Sequence, residues 1–185
     1  VENPQGRLIA VVGPSGVGKD SLLALAREAF ADRPELLFVR RAITRPATGD
    51  AEAHLPMSVA EFDRAEAEGA FAFCWRAHGL GYGLPASLGG HLRAGHPAVV
   101  NGSRKVLAAM AERFPGLAVV SITARPEVLA RRLSARGRER AEEIADRIAR
   151  ASEPLPFEPA VVIDNSGTLA DAGRQMVAAI RRLAD

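Results

Sequence analysis

Residues 13–21 read GPSGVGKDS, which matches the phosphate-binding pattern G-x-x-x-x-G-K-[ST] at every position except the last. Glycines let a backbone approach phosphate closely and take up positive φ. Successive N–H groups then point inward, and the positive end of the following helix adds to the attraction. Lys19 is placed to reach the β and γ phosphates of a nucleotide. The candidate nucleotide-binding residues are therefore Gly13, Pro14, Ser15, Gly16, Val17, Gly18, Lys19, Asp20 and Ser21. Asp20 stands where a neutral hydroxyl ordinarily meets Mg²⁺. Ser21 cannot simply replace that hydroxyl, because one helical step turns the side chain by about 100°. Two roles are open for Asp20. It is a magnesium ligand, direct or through water, as a hard oxygen donor, or it is an acid favoured by the helix dipole alone. A carboxylate beside a triphosphate is repelled unless a cation intervenes, which favours the metal role.

Such a loop needs a strand before it and a helix after it. RLIAVVG (7–13) is a short apolar run ending in Gly, and from Asp20 to Phe30 apolar residues recur at helical spacing. LLFVRRAIT (36–44), PAVVNG (97–102), LAVVSIT (117–123) and AVVIDN (160–165) predict four further strands, the last three each followed by a helical stretch. This alternation points to an α/β fold with a five-stranded, doubly wound parallel sheet and helices on both faces. Two regions interrupt it. In 44–96, residues 45–57 look like a loop, Ser58 caps a short helix with Glu61 at capping-box spacing, FAFCWRA (71–77) alternates as a hairpin strand, and HGLGYG (78–83) is expected to be a turn. The second interruption is the Arg-rich helical segment 131–151. Both emerge at the carboxyl ends of strands, where such sheets bind ligands. The expected organisation is one domain: a core of 6–43 and 97–185, an acceptor-binding insertion of about 44–96, and a lid of about 131–151.

The 185 residues include 48% apolar ones, enough for one well-formed core. No apolar run approaches the roughly eighteen residues of a membrane span. A single cysteine, Cys74, excludes an internal disulfide or a Cys-based metal cage. A soluble, cytoplasmic protein without a membrane partner is expected. The net charge of +2 demands no nucleic-acid partner either. Lys19 and Lys105 are the only lysines, so 24 − 2 = 22 of the basic residues are arginines. Coding bias accounts for most of them, but Arg also binds phosphate oxygens in planar, bidentate fashion, so position decides which ones matter.

From GPSGVGKDSLL onward the chain resembles the guanylate kinase family. ITRPATGD (43–50) is similar to that family's acceptor-phosphate segment, GAFAFCWRAHGLGYG (69–83) to its acceptor-site hairpin, ARRLSARGRERAEEIADRIARA (130–151) to its lid, and VVIDN (161–165) to its final strand and adenine-side loop. The resemblance implies a P-loop kinase fold, ATP and Mg²⁺. It also implies roles for individual residues. Arg132, Arg136 and Arg147 match lid arginines that close over the transferring phosphoryl group. Glu139, Glu142 and Glu143 lie at salt-bridge spacings nearby and offer a solvated-face alternative. Arg45 and Tyr82 match acceptor-phosphate contacts, His54 aligns with another, and Asn165 is either an adenine contact or a turn residue before Gly167.

The departures are more informative. Phe73 stands where guanylate kinases read guanine with a Glu, Leu84 replaces a second, hydroxyl-bearing base contact, and Arg41 replaces a third polar one. A second acceptor-phosphate arginine is lost in PAT, and NGSR (101–104) replaces an acidic strand end. A site without partners for a purine edge loses discrimination worth roughly 10⁴–10⁵. Arg40, Arg41, Arg76 and Arg104 add positive charge instead, so the acceptor is expected to be small, strongly anionic and baseless. Arg40 and Arg41 are adjacent on an expected strand, so their side chains should face opposite sides. Trp75 is expected in the hairpin core. His78, His91 and His96 lack metal-ligand spacing and read as turn or surface residues.

RRAITRP, GPSGVGKDSL and VVNGSR together resemble the ribose 1,5-bisphosphate phosphokinases of phosphonate breakdown, including the Asp after the loop lysine. That resemblance implies ATP-dependent phosphorylation of ribose 1,5-bisphosphate to 5-phospho-α-D-ribose 1-diphosphate. From the guanylate-kinase matches and the added charge together, the candidate substrate residues are Arg41, Arg45, His54, Arg76, Tyr82 and Arg104. Two alternatives stay open: a nucleoside monophosphate kinase with relaxed base choice, and a non-catalytic guanylate-kinase-like interaction module.

Overall fold

Leu8–Val12 (β1) is buried at every position, as befits a parallel strand covered on both faces. Its side chains alternate between two cores. Ile9 and Val11 join one apolar cluster, and Leu8, Ala10 and Val12 join the other. The computed structural model describes residues 6–46, 54–135, 144–146, 148–149 and 153–185. After β1 the elements are α1 (Lys19–Ala29), β2 (Leu37–Phe38), β3 (Ala42–Ile43), β4 (Leu55–Pro56), α2 (Val59–Ala67), β5 (Phe71–Ala77) and β6 (Leu80–Pro85). Then follow α3 (Ser87–Arg93), β7 (Ala98–Asn101), a 3₁₀ turn at Arg104–Val106, α4 (Leu107–Arg113), β8 (Ala118–Thr123), α5 (Pro126–Ala135), β9 (Val161–Asp164) and α6 (Leu169–Ala184).

The main sheet has five parallel strands in the order β2-β7-β1-β8-β9, as expected. Helices α1 and α6 bury Leu22, Ala26, Met176 and Ile180 against one face, while α3 and α4 bury Leu88, Leu107 and Met110 against the other. β1 lies centrally, with β7 on one side and β8 on the other. The loop leaving β1 therefore sits at the topological switch point, above the carboxyl ends of the strands.

A second, four-stranded sheet, in the order β4-β3-β6-β5, forms from the insertion together with β3, which precedes it. Its construction corrects two expectations. The segment 36–44 is not one strand. Phe38 pairs with Val99 in the main sheet, but Ala42 and Ile43 pair with Gly83 and Tyr82 in the second. The chain crosses between sheets at 39–41: the Val39 N–H still donates to Val99 of the main sheet, and the Arg41 carbonyl already accepts from Leu55. HGLGYG is not a turn throughout. His78 and Gly79 both adopt positive φ, 53° and 75°, which is the geometry a two-residue hairpin needs. The reversal is then complete, and Ala77 pairs with Leu80.

The capping box on α2 forms as read: the Glu61 N–H donates to Ser58 Oγ at 3.2 Å, and the Ser58 N–H donates to Glu61 Oε2 at 2.7 Å. Among the described residues no helix is long and apolar enough to cross a membrane.

Close packing of backbone on backbone sets the exit of β1. A Cβ at Gly13 would lie 2.5 Å from the Ile122 carbonyl oxygen of β8. Neither atom belongs to a side chain that can swing away. Gly13→Ala should therefore cost about 1–3 kcal/mol, in the range of overpacked cores, measured by urea unfolding. A variant as stable as wild type would mean that the β1–β8 junction has slack.

Candidate active site

The phosphate-binding loop is held from beneath. Val17 buries its side chain completely, and its carbonyl accepts hydrogen bonds from Asn165 Nδ2 at 2.7 Å and Arg132 Nη1 at 3.4 Å. The first comes from the end of β9 and the second from α5. Leu133 of α5 also packs against Gly16, where a Cβ would come within 2.9 Å of its side chain. Gly16 and Gly18 take φ of 82° and 93°, a region in which an L side chain is strained. Gly18 is the N-cap of α1 and gives it no side-chain cap, so first-turn N–H groups are left for a ligand or water. Lys19 folds back over the loop, donating from Nζ to the Gly13 carbonyl at 2.9 Å. Neighbouring Asp20 accepts at Oδ1 from Asn101 Nδ2, at the end of β7, at 2.9 Å.

The insertion builds the second half of the site. Trp75 and Tyr82 pair across β5 and β6 with rings stacked at 5.1 Å between centroids. The Arg41 guanidinium lies over both, 5.2 Å from the Tyr82 centroid and 5.9 Å from that of Trp75. Arg41 is only 7% exposed, so its charge is largely removed from water and steadied by aromatic faces. Its carbonyl accepts from the Leu55 N–H at 2.8 Å. This brings in His54, which is buried and lies 3.1 Å from the Arg45 carbonyl through Nε2. Arg40 is exposed and donates to the His54 carbonyl. Thr44 Oγ1 accepts from the Gly81 N–H at 2.8 Å, tying the same segment to the hairpin.

The two hairpin positions where the resemblance places base contacts are apolar and packed. Phe73 and Leu84 face each other in the β5–β6 ladder. Leu84 is fully buried, and Phe73 packs against Trp75 and Phe114 at centroid distances of 5.9 and 6.2 Å. The two side chains are part of an apolar core, leaving a cationic and aromatic surface without purine-edge partners.

No protein-family model matches the chain. Individual proteins do. The ribose 1,5-bisphosphate phosphokinase PhnN of Laribacter hongkongensis is 51% identical over 173 residues, covering 94% of this chain and 42% of that protein, so the chain spans less than half of this relative. PhnN of Agrobacterium fabrum is 43% identical over 178 residues, covering 96% of this chain and 97% of that protein. The chain belongs to the ribose 1,5-bisphosphate phosphokinase family. In fold it is similar to a guanylate kinase from Anaplasma phagocytophilum, with a TM-score of 0.62, 17% identity, and coverage of 98% of this chain and 88% of that one. A gluconokinase from Sinorhizobium meliloti aligns with a TM-score of 0.55 and 24% identity, covering 98% and 95%. The fold is thus that of the P-loop kinases.

For a phosphokinase of this family, the structure brings Arg41, Arg45, His54 and Tyr82 into one neighbourhood. It does not bring Arg76 there. Arg76 pairs with Gly81 in the ladder, one residue out of phase with the Trp75–Tyr82 pair, so it projects from the opposite face of the hairpin. There it donates to Glu66 Oε2 at 2.6 Å and Asp63 Oδ1 at 2.9 Å and lies over Phe62. Hydrogen bonds from Arg76 and then Cys74 hold the Glu66 carboxyl down at about 2. Desolvation first, and Glu66 second, push the Cys74 thiol up to about 11. Arg104 sits just beyond β7 and donates to the Glu153 carbonyl at 3.4 Å, with desolvation lowering its pKa. That contact joins it to the segment following the lid region.

Asn165 was expected at the adenine or in a turn. It is 1% exposed and donates from Nδ2 to the Val17 carbonyl of the loop. Arg132 likewise meets the Val17 carbonyl. Arg131 is exposed, as expected. Arg136 and Arg147 lie outside the described residues. Trp75 lies in the hairpin core, as expected, and its ring also stacks on Tyr82. Asn101 is the residue the sequence does not single out; its one signal is the missing acid at a strand end.

Because Arg76 is already neutralised on an exposed face, Arg76→Ala should leave the KM for the acceptor unchanged and cost less than about 1 kcal/mol of stability. A large rise in acceptor KM in steady-state assays would return Arg76 to the site.

Proposed function

We propose that this chain transfers the γ-phosphoryl group of ATP to the 1-phosphate of ribose 1,5-bisphosphate, yielding 5-phospho-α-D-ribose 1-diphosphate and ADP. An anionic oxygen of the 1-phosphate attacks the γ phosphorus, and the bond from that phosphorus to the ADP oxygen breaks. The nucleophile is already deprotonated, so no general base is required, and catalysis reduces to alignment and charge neutralisation. The observation that carries this reading is the apolar packing at those two hairpin positions. Phe73 and Leu84 are packed as apolar core, whereas the Arg41 guanidinium is held over the rings of Trp75 and Tyr82.

The loop 13–21 suits the nucleotide: uncapped N–H groups at the start of α1 and the Lys19 ammonium above the Gly13 carbonyl form an anion-binding bowl. Asp20, a hard oxygen donor in the first turn of α1, suits magnesium. When bound, Mg²⁺ neutralises charge on the β and γ phosphates. Lys19 adds a fixed positive charge, and the lid positions Arg136 and Arg147 are assigned to the moving phosphoryl group. Arg41, Arg45, His54 and Tyr82 hold the acceptor phosphates. Arg132 acts through the loop, by way of Val17.

A nucleoside monophosphate kinase would need a base partner at Phe73 or Leu84. A non-catalytic module would have no use for Lys19 in its phosphate-loop setting. With ATP saturating, kcat/KM for ribose 1,5-bisphosphate should exceed that for GMP by on the order of 10⁴. Equal or faster turnover of GMP would contradict the assignment. Lys19→Ala should melt like wild type and lose on the order of 10²–10³ in kcat, the loss typical of one preorganised charge contact. A folded variant with normal turnover would remove the loop from catalysis.

A further inference from the structure

In P-loop enzymes magnesium is ordinarily held by a neutral hydroxyl after the loop lysine and by a carboxylate at the end of a neighbouring strand. Here the two chemistries have changed places. The carboxylate, Asp20, follows Lys19, and a neutral amide, Asn101, ends β7. β7 lies directly beside β1, with Asn101 in register with Val11, and the Gly102 N–H donates to the Val11 carbonyl at 2.8 Å. This brings the end of β7 against the root of the loop. The two exchanged residues, 81 positions apart in sequence, are joined by the 2.9 Å bond from Asn101 Nδ2 to Asp20 Oδ1.

We propose that Asp20 and Asn101 form a single exchanged magnesium site, with Asp20 as the charged oxygen ligand and Asn101 as the positioning residue that fixes its carboxylate. The inference rests on the kinase reading above. One carboxylate oxygen, Oδ1, is committed to the amide. The other, Oδ2, is the oxygen assigned to the ion. The site keeps the single negative charge of the usual arrangement but carries it on the helix instead of the strand. A carboxylate at both positions would put two like charges within hydrogen-bonding distance. A hydroxyl and an amide would leave the ion no protein anion. Each position is therefore constrained by the other. Among the described residues no group of three or more His, Cys, Asp or Glu forms a self-contained cage. An ion here takes its remaining ligands from phosphates and water, as magnesium commonly does.

The test is a double-mutant cycle read by binding. Calorimetry measures ADP affinity in EDTA and with Mg²⁺, and Mn²⁺ paramagnetic resonance counts the metal bound with ADP. Thermal melting checks that every variant is folded. In wild type, the divalent ion should strengthen ADP binding. Asn101→Ala should weaken metal binding in the ternary complex by about tenfold, as for loss of an outer-shell partner, while ADP binding in EDTA stays near wild type. Asp20→Ser should lose more of the metal-dependent gain, and Asn101→Asp should weaken ADP binding in EDTA through added repulsion. The double variant Asp20→Ser/Asn101→Asp should recover metal-dependent binding that both single variants lack. Normal metal-dependent binding in both Asp20→Ser and Asn101→Ala would overturn the inference alone. So would a double variant no better than either single one. A wild-type protein that binds no nucleotide would overturn the kinase reading and this site with it.

Discussion

The carbonyl of Val17 is the pivot of the active site. An amide from β9 and a guanidinium from α5 both donate to it, and the Val17 side chain is fully buried beneath it. Held in this way, the middle of the loop turns its carbonyl toward the protein, while the Val17 N–H closes a turn onto the Pro14 carbonyl at 3.3 Å. Hydrogen bonds from charged donors contribute about 1.5–3 kcal/mol each and neutral ones about 1 kcal/mol. That is enough to make one loop conformation dominant. The strand order follows from the same need: β8 and β9 must lie on one side of β1 for Asn165 to reach the loop, and β7 on the other for Asn101 to reach Asp20.

The acceptor half shows what replaces recognition of a base. Two positions of the hairpin are given to the apolar core through Phe73 and Leu84. The next pair in the ladder, Trp75 and Tyr82, forms a stacked platform. A cation over an aromatic face gains about 2 kcal/mol or more when desolvated, which helps a guanidinium as buried as that of Arg41 to keep its place. On the proposed reading, this cation and its aromatic platform serve an acceptor phosphate, with no polar partner for a purine edge at Phe73 or Leu84. The small second sheet sets this geometry, because β3 aligns Arg41 and Arg45 beside β6 and beside the start of β4 at His54.

Much of this was legible in the sequence because it is local. The loop, its flanking strand and helix, the three later strands and the Ser58–Glu61 cap all depend on neighbours within a few residues. What was not legible depends on distant partners. LLFVRRAIT has the apolar content of one strand, yet it serves two sheets, since β2 pairs with β7 and β3 with β6. Arg76 looks like a phosphate-binding residue until α2 docks Asp63 and Glu66 against it. Asn165 looks like a turn residue until β9 stands beside β8 and brings it under the loop. In each case a residue of the right chemical type is assigned by a tertiary contact that no spacing reveals.

On the proposed reading, the site aligns a sugar phosphate, and no nucleoside, for attack on a nucleotide γ phosphorus. Phosphorus resonance during incubation of the chain with ATP, Mg²⁺ and an equimolar mixture of ribose 1,5-bisphosphate and GMP tests it directly, because the new bond is identified as well as its rate. The 1-phosphate monoester signal should give way to the coupled pair of a sugar diphosphate as ADP appears, with GMP left intact. Formation of GDP ahead of that pair, or release of inorganic phosphate with the bisphosphate unchanged, would contradict it.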